Sequence, residues 1–490
     1  MLLRGLTFSR DGQFLYYQTN ERNGSATLNR LALFSGQPAK VKQGLDSPIS
    51  FSPDGEQFCF VREGPADSEL IVADTDGGNE RRIAARKLPG YLDYPAWSPD
   101  GKRIVCTSGN SARPGGVGLV EVSLHDRAER TVSGRTWWHI RVLKWMHDGS
   151  GVLMTAREPL SGIYQIWHVS YPAGQPRRIT SGLDSYSSLS LTSDSRLLSA
   201  VQERLISSLW IGPGTDASAV RQIAPASVTR MSFAWAPDDQ IVYEREPGQS
   251  LNLWAMNTDG SNSRQLTFDG QSSHPFVSWN DRSITYVSER SGEPAIWKMD
   301  LKGGKARRLT PCEGGIYPEA SPDGKWLIYS AWASGKGTTL WKAPAADPSK
   351  AARLTDKLAL QPSISPDGTH VACFYSEQEL TPAVANARNA NSIAVLPFEG
   401  GTPLSFEIPH TVSVLSGIRW TPDSGALTYV KNLDGISNIW SQPLGGGSPH
   451  QLTNFKGDRI FRFAWSRDGR QLALSRGVQR FDVVLIRDLE

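Results

Sequence analysis

Tyr94-Pro95-Ala96-Trp97-Ser98-Pro99-Asp100-Gly101-Lys102-Arg103-Ile104-Val105 is an aromatic, alternating run that enters a Ser-Pro-Asp-Gly turn and leaves it as a second apolar run. Proline presets the φ of the turn's second position, aspartate bonds back to the backbone, and glycine accepts the left-handed conformation that closes the turn. Two strand-like runs joined in this way read as a β-hairpin. The hairpin recurs along the whole chain. Its aspartates stand at 11, 54, 100, 148, 194, 238, 281, 323, 367, 423 and 468, spaced 42 to 48 residues apart except for one interval of 56. Eleven units of this period, each with room for four short strands, predict an all-β fold of β-propeller type.

The four strands can be placed in the best units. Strand A precedes the turn, as in Phe233-Ala-Trp235, and strand B follows it, as in Trp326-Leu-Ile-Tyr-Ser330. Strand C carries an apolar residue followed by tryptophan: Ile166-Trp167, Leu209-Trp210, Leu253-Trp254, Ile296-Trp297, Leu340-Trp341 and Ile439-Trp440. Strand D is short and runs into Leu/Ile-Thr, as in Arg308-Leu-Thr310. Six tryptophans fall just before the A–B turn (97, 145, 235, 279, 420, 465) and six in strand C. Large aromatics at fixed places fill the gaps between twisted, stacked sheets. The Trp137-Trp138-His139 cluster lies outside both positions.

Eleven blades exceed one ring, so two rings in tandem are expected: residues 1–217 with five repeats and residues 218–490 with six. In this reading Phe481-Asp-Val-Val-Leu-Ile486 is strand C of the eleventh repeat, and Ala219-Val-Arg-Gln-Ile223 closes that blade. The first ring is either complete with five units or lacks a blade.

The chain holds 52 Lys+Arg against 49 Asp+Glu, a formal charge of +3, with no basic block, so no electrostatic footprint for nucleic acid is present. No run approaches the roughly 20 apolar residues of a membrane span, and no secretory leader stands at Met1, so insertion in a membrane is not expected and the sequence as it stands reads as cytoplasmic. Derivation from a longer anchored or secreted parent places it outside the cytoplasm. Cys59, Cys106 and Cys373 sit inside apolar strands and Cys312 stands alone in a loop, a pattern of reduced thiols.

No catalytic constellation emerges. Gly-x-Ser-x-Gly, His-Glu-x-x-His, paired Cys-x-x-Cys and a Gly-rich dinucleotide loop are all missing. Ser334-Gly-Lys-Gly-Thr338 lacks the upstream glycine of a phosphate loop and reads as a B–C hairpin. Asp74-Thr-Asp-Gly-Gly-Asn79 superficially matches a calcium loop, but Asn257-Thr-Asp-Gly-Ser-Asn262 occupies the same C–D position in another repeat and no bidentate glutamate follows. Both read as turns. No enzyme activity, metal or cofactor is therefore expected. The binding candidates are the polar and aromatic residues at the strand A entrances, where a propeller opens its axial funnel: Asp93, Tyr94, Trp138, His139 and Tyr186 in the first ring, and His274, Tyr317 and Gln361 in the second.

The units, with Trp/Phe-Ser-Pro-Asp-Gly, then Asp-Gly-Gly/Ser and Arg-x-Leu-Thr, resemble the WD40-like repeat of TolB and its relatives, over essentially residues 6–490. The resemblance implies tandem TolB-like β-propellers. The tail Leu472-Ala-Leu-Ser-Arg-Gly-Val478 with Asp482-Val-Val-Leu-Ile486, together with Gly5-Leu-Thr-Phe-Ser9 and Ser47-Pro-Ile-Ser-Phe-Ser-Pro-Asp-Gly55, is similar to the propeller region of bacterial regulators in which a Ser/Thr kinase or winged-helix domain precedes it. Kinase and helix-turn-helix motifs are missing here. The resemblance thus implies a sensory or protein-interaction module for a peptide or protein partner, with a kinase or winged-helix effector. The alternative it implies is a stand-alone extracytoplasmic factor docking envelope proteins, and a third is a funnel-site hydrolase or lyase.

Overall fold

The structure is a computed structural model describing residues 3–20, 26–110, 113–158, 163–192, 194–214, 219–226, 231–245, 250–278, 280, 282–310, 315–333, 337–379 and 390–487. Cys312, Trp279, Asp281 and the Ser334-Gly-Lys stretch lie outside the described residues. No α-helix occurs among the described residues. Successive repeats fold as antiparallel meanders in sequence order. Leu3–Phe8, Phe14–Asn20, Ala26–Ala32 and Pro38–Gln43 make the first sheet, and the same four-strand order recurs in the other repeats except the fifth and the eleventh. The fold is a tandem of TolB-like β-propellers.

The repeated turn forms for the reason its residues suggest. Ser9 Oγ donates to Asp11 Oδ1, and the same bond recurs at Ser52–Asp54, Ser98–Asp100, Thr192–Asp194, Ser321–Asp323, Ser365–Asp367, Thr421–Asp423 and Ser466–Asp468, all at 2.5 to 2.6 Å. The aspartate also accepts the amide two residues on, as Asp11 does from Gln13 at 3.0 Å. These donors hold the Asp11, Asp54, Asp323 and Asp468 carboxyls below the ordinary range, hydroxyl first. The fourth residue is left-handed, with φ of 72° at Gly101 and Gly324. Ser424 takes the same place at φ 58° without being glycine. A Cβ in that region is strained. Ser424→Gly is therefore expected to raise stability by about 1 kcal/mol, read as a higher urea midpoint with an unchanged m-value. A lower midpoint would show that the serine hydroxyl matters more than its backbone strain.

The tryptophans lock sheet to sheet. Indole Nε1 of Trp145 donates to Ala96 O (3.1 Å), that of Trp420 to Ser363 O (2.8 Å) and that of Trp235 to Ala464 O (3.0 Å). The first two reach back to the preceding repeat, and the third joins the sixth repeat to the eleventh and closes the second ring. In strand C the indoles pack under cations instead: Arg135 over Trp167 (4.5 Å), Arg245 over Trp254 (4.8 Å), Arg290 over Trp297 (4.1 Å) and Lys431 over Trp440 (3.7 Å). Such pairs contribute about 0.5–2 kcal/mol each, more when desolvated. Cys59, Cys106 and Cys373 are free, buried thiols, and burial pushes each well above its ordinary pKa.

Among the described residues, 3–203 and 481–487 form one compact unit and 204–379 and 390–480 the other. The expected division at 217/218 is thus replaced by one that falls inside two 17-residue strands, Leu197–Pro213 and Gln471–Arg487. In the first unit, Val484 and Ile486 pack on Leu153, Ile166, Tyr186, Leu189 and Leu198. In the second, Leu209, Ile211 and Ile223 pack with Phe233, Trp235 and Ala473, and Arg221–Gln222 pairs with Trp210–Ile211 as the outer strand. Phe481–Ile486 is therefore not strand C of the eleventh repeat, and Leu209-Trp210 is not strand C of the fifth. Each of these long strands passes from one unit into the other without a turn. Sequence offset therefore misassigns the second half of each. In the first unit Leu6 and Phe8 on one end sheet, and Phe481, Val483 and Leu485 on the other, are exposed.

Candidate functional site

Strand A in most repeats carries a bulge just before its apolar core residues. The ladder skips between Asp93 and Ala96, Arg141 and Leu143, Ser273 and Phe276, Ile316 and Glu319, and Leu360 and Ser363. At the bulge stands a left-handed residue that is not glycine: Tyr94 (φ 45°), Val142 (52°), His274 (51°), Tyr317 (53°) and Gln361 (51°). Bulky side chains in this region cost about 1–3 kcal/mol each, and such strain concentrates where a side chain must be re-aimed. Four of the eight sequence candidates, Tyr94, His274, Tyr317 and Gln361, are these bulge residues. In the second unit the A strands lie against one another around the ring, so their bulges face a common centre.

Around that centre, Glu244 is buried and spends both carboxylate oxygens on backbone amides. Oε2 accepts from Ser232 N (2.9 Å) and Oε1 from His274 N (2.5 Å). His274 packs edge-on to Tyr317 with ring centroids 4.6 Å apart, and its Nδ1 lies 3.0 Å from Ser273 Oγ. Burial, with some help from Arg462, holds its imidazole below the ordinary range against the pull of Glu244. The ring is therefore neutral at pH 7. Gln361 is held by its amide, which donates to Ser330 Oγ at 3.0 Å. Glu319 accepts the Ile364 amide at 2.8 Å and stands 3.7 Å from Arg419. Burial pushes the Glu319 carboxyl up to about 7 despite Arg419. Arg462 lies over Tyr317 (5.6 Å).

The first unit assembles a different group. Tyr94 N donates to Asp93 Oδ1 at 2.7 Å. His139 Nδ1 lies 3.3 Å from Tyr164 Oη with the rings edge to face, Arg141 stacks over Tyr164 at 4.0 Å, and Arg157 over Trp138 at 5.6 Å. Burial first, then Arg141 and Arg157, push the His139 imidazole down to about 4. Trp137 is fully buried core, whereas Trp138 and His139 are half-buried. Tyr186 departs from expectation: it is 8% exposed and belongs to the apolar cluster of Leu153, Ile166 and Leu189.

Sequence reasoning missed Arg462, Arg419, Glu319 and Glu244. The signal was in the spacing. Arg462 stands six residues before Asp468, as Tyr94 does before Asp100, Tyr317 before Asp323 and Gln361 before Asp367. Glu319 and Arg419 each stand four before their turn aspartates. Glu244 lies in strand B and has no such marker. The two loops weighed for calcium use their oxygens on protein donors: Asp74 accepts from Gln57 on the neighbouring strand and from Asn79, Asp76 from Gly78 N, and Asp259 from Ser261. Among the described residues no helix is long and apolar enough to cross a membrane.

The fold is that of TolB-like β-propellers, and the comparisons with known proteins agree with it. Residues 47–281 match PD40, the TolB beta propeller domain. The Tol-Pal system protein TolB of Anaeromyxobacter dehalogenans is 32% identical over 127 residues, 26% of this chain and 27% of that protein. Dipeptidyl-peptidase 5 of Porphyromonas gingivalis is 25% identical over 238 residues, 46% of this chain and 32% of that protein. This chain therefore spans about a quarter to a third of the length of these relatives. The crystal structure of TolB from Acinetobacter baumannii aligns with 67% of this chain and 76% of its own at 16% identity and a TM-score of 0.23.

Proposed function

We propose that the protein is a non-enzymatic interaction module that takes a peptide or protein segment at the bulged strand A residues. The observation that carries this reading is the left-handed backbone at Tyr94, His274, Tyr317 and Gln361. Four strained, aromatic or polar side chains at one position of the repeat suit recognition. Binding is favoured over turnover because Glu244, the acidic partner nearest His274, gives both oxygens to backbone amides. A carboxylate so engaged is a poor general base.

The regulatory reading makes the partner a kinase or winged-helix effector and the chain its sensor. The match to TolB favours the second reading, a factor docking envelope proteins. The compartment follows the partner: cytoplasm for the first, outside it for the second. The test is capture from host lysate on the purified chain, with a Tyr94→Ala/Tyr317→Ala double variant of unchanged circular dichroism as control. The expected result is a partner retained by the wild type and reduced at least about tenfold by the variant (~1.4 kcal/mol), whose identity selects between the two readings. A partner held equally by both proteins overturns the assignment to the bulge residues.

A further inference from the structure

We infer that the centre of the second ring is a carboxylate-binding site built on Arg462 and Arg419, and that the segment the module takes presents a carboxylate there. This rests on the interaction reading above and adds the chemistry of the ligand. Arg462 Nη1 is buried with no hydrogen-bond partner, and its Nε makes only a long contact of 3.4 Å to Ser232 Oγ. Arg419 Nη1 donates to Ile418 O of its own strand at 2.8 Å and lies 3.7 Å from Glu319. The two guanidinium groups are near enough to repel, and burial with that repulsion lowers the Arg419 pKa against the pull of Glu319.

The carboxylates nearby do not resolve this excess of donors. Glu244 gives one oxygen each to the Ser232 and His274 amides, and Glu319 gives one oxygen to Ile364 N. Native proteins leave few buried donors unpaired, and an orphaned guanidinium N–H with a second guanidinium nearby is an arrangement an incoming anion completes. Space is provided as well. Gly417 stands six residues before Asp423, just ahead of strand A of the tenth repeat, at φ 80°, and a Cβ there would stand 3.4 Å from Arg419 Nη1 and 3.5 Å from Gln361 Oε1. Planar guanidinium forks select a planar, two-oxygen acceptor, and the Tyr317 ring under Arg462 holds that fork in place. The carboxylate can come from a chain terminus or from an Asp/Glu side chain.

The probes are acetyl-Ala-Ala-Ala as the free acid, the same peptide as its amide, and acetyl-Ala-Glu-Ala amide, titrated into the full chain by calorimetry at low and at physiological salt. The free acid or the glutamate peptide is expected to bind, the neutral amide not, and affinity is expected to fall as salt rises. Arg462→Gln is expected to weaken binding at least about tenfold while leaving the melting temperature unchanged or higher, since Nη1 bonds nothing in the protein. Binding of the free acid alone assigns a terminal carboxylate, and of the glutamate peptide alone a side chain. Equal binding of acid and amide, or binding indifferent to Arg462→Gln, overturns the inference, and so does a melting temperature lowered by several degrees in that variant. If no probe binds while partner capture still depends on Tyr317, the carboxylate site falls and the interaction module stands.

Discussion

Val484→Asp with Ile486→Asp lowers the stability of the first unit by about 3–5 kcal/mol, whereas Val483→Asp changes it by less than about 0.5 kcal/mol. Val484 and Ile486 lie on the face of the last strand that packs on Leu153, Ile166, Leu189 and Leu198. Val483 points to the other face and is 74% exposed. Two aspartates on the packed face lose apolar burial and must also be desolvated. An aspartate at 483 stays in water. Urea unfolding with limited proteolysis and mass spectrometry reads the location as well as the size of the effect. New cleavages are expected in residues 139–203, with residues 231–480 still protected. Cleavage concentrated in 418–477 instead would return the last strand to the eleventh repeat and remove the strand exchange from the fold. An equal effect of Val483→Asp would show that register, not packing, was disturbed.

That exchange marks the limit of what the sequence discloses. The hairpin turn is written in local chemistry, Ser-x-Asp-Gly, whose bonds span at most five residues, so repeat number and strand order were legible. Tryptophan position was legible for the same reason: a large aromatic at a fixed offset has one gap to fill. The partner of a strand is set by long-range pairing, and Leu197–Pro213 and Gln471–Arg487 give no local sign of where one unit passes into the other. Leu209-Trp210 carries the strand C signature whichever sheet receives it.

The site divides in the same way. Tyr94, Tyr317 and Gln361 follow from a constant offset to the turn aspartate, and the offset also reaches Arg462, where a cation stands in place of an aromatic. Tyr186 failed because it lies eight residues before Asp194 rather than six, on the packed side of its strand. Glu244 could not be read at all. Its role is to cap the Ser232 amide of its own repeat and the His274 amide at the bulge of the next one, and nothing within its own strand records that.

Replacing Glu319 with glutamine removes one proton-linked step from the stability of the second unit. The Glu319 carboxyl is pushed up to about 7 in the folded chain, chiefly by burial, against about 4.3 for an unperturbed glutamate. Between these values the folded chain holds a proton that the unfolded chain has released. The stabilisation is fully present below the unfolded pKa and is lost as pH rises through the folded one, so the wild type loses about 3 kcal/mol between pH 4.5 and 7 from this group. Glutamine keeps an oxygen for the Ile364 amide and stays neutral throughout. Against that, the ionised carboxylate partly balances Arg419 at 3.7 Å, a benefit already contained in the net upward shift. The difference in unfolding free energy between Glu319→Gln and wild type should therefore move in favour of the variant by about 3 kcal/mol as pH is raised across this window, and then level off. Urea titrations at half-unit pH steps measure it. A parallel pair of curves would mean that Glu319 is ionised at both ends of the range, with Arg419 outweighing burial, and the centre of the second ring would then carry one more fixed negative charge against any incoming carboxylate.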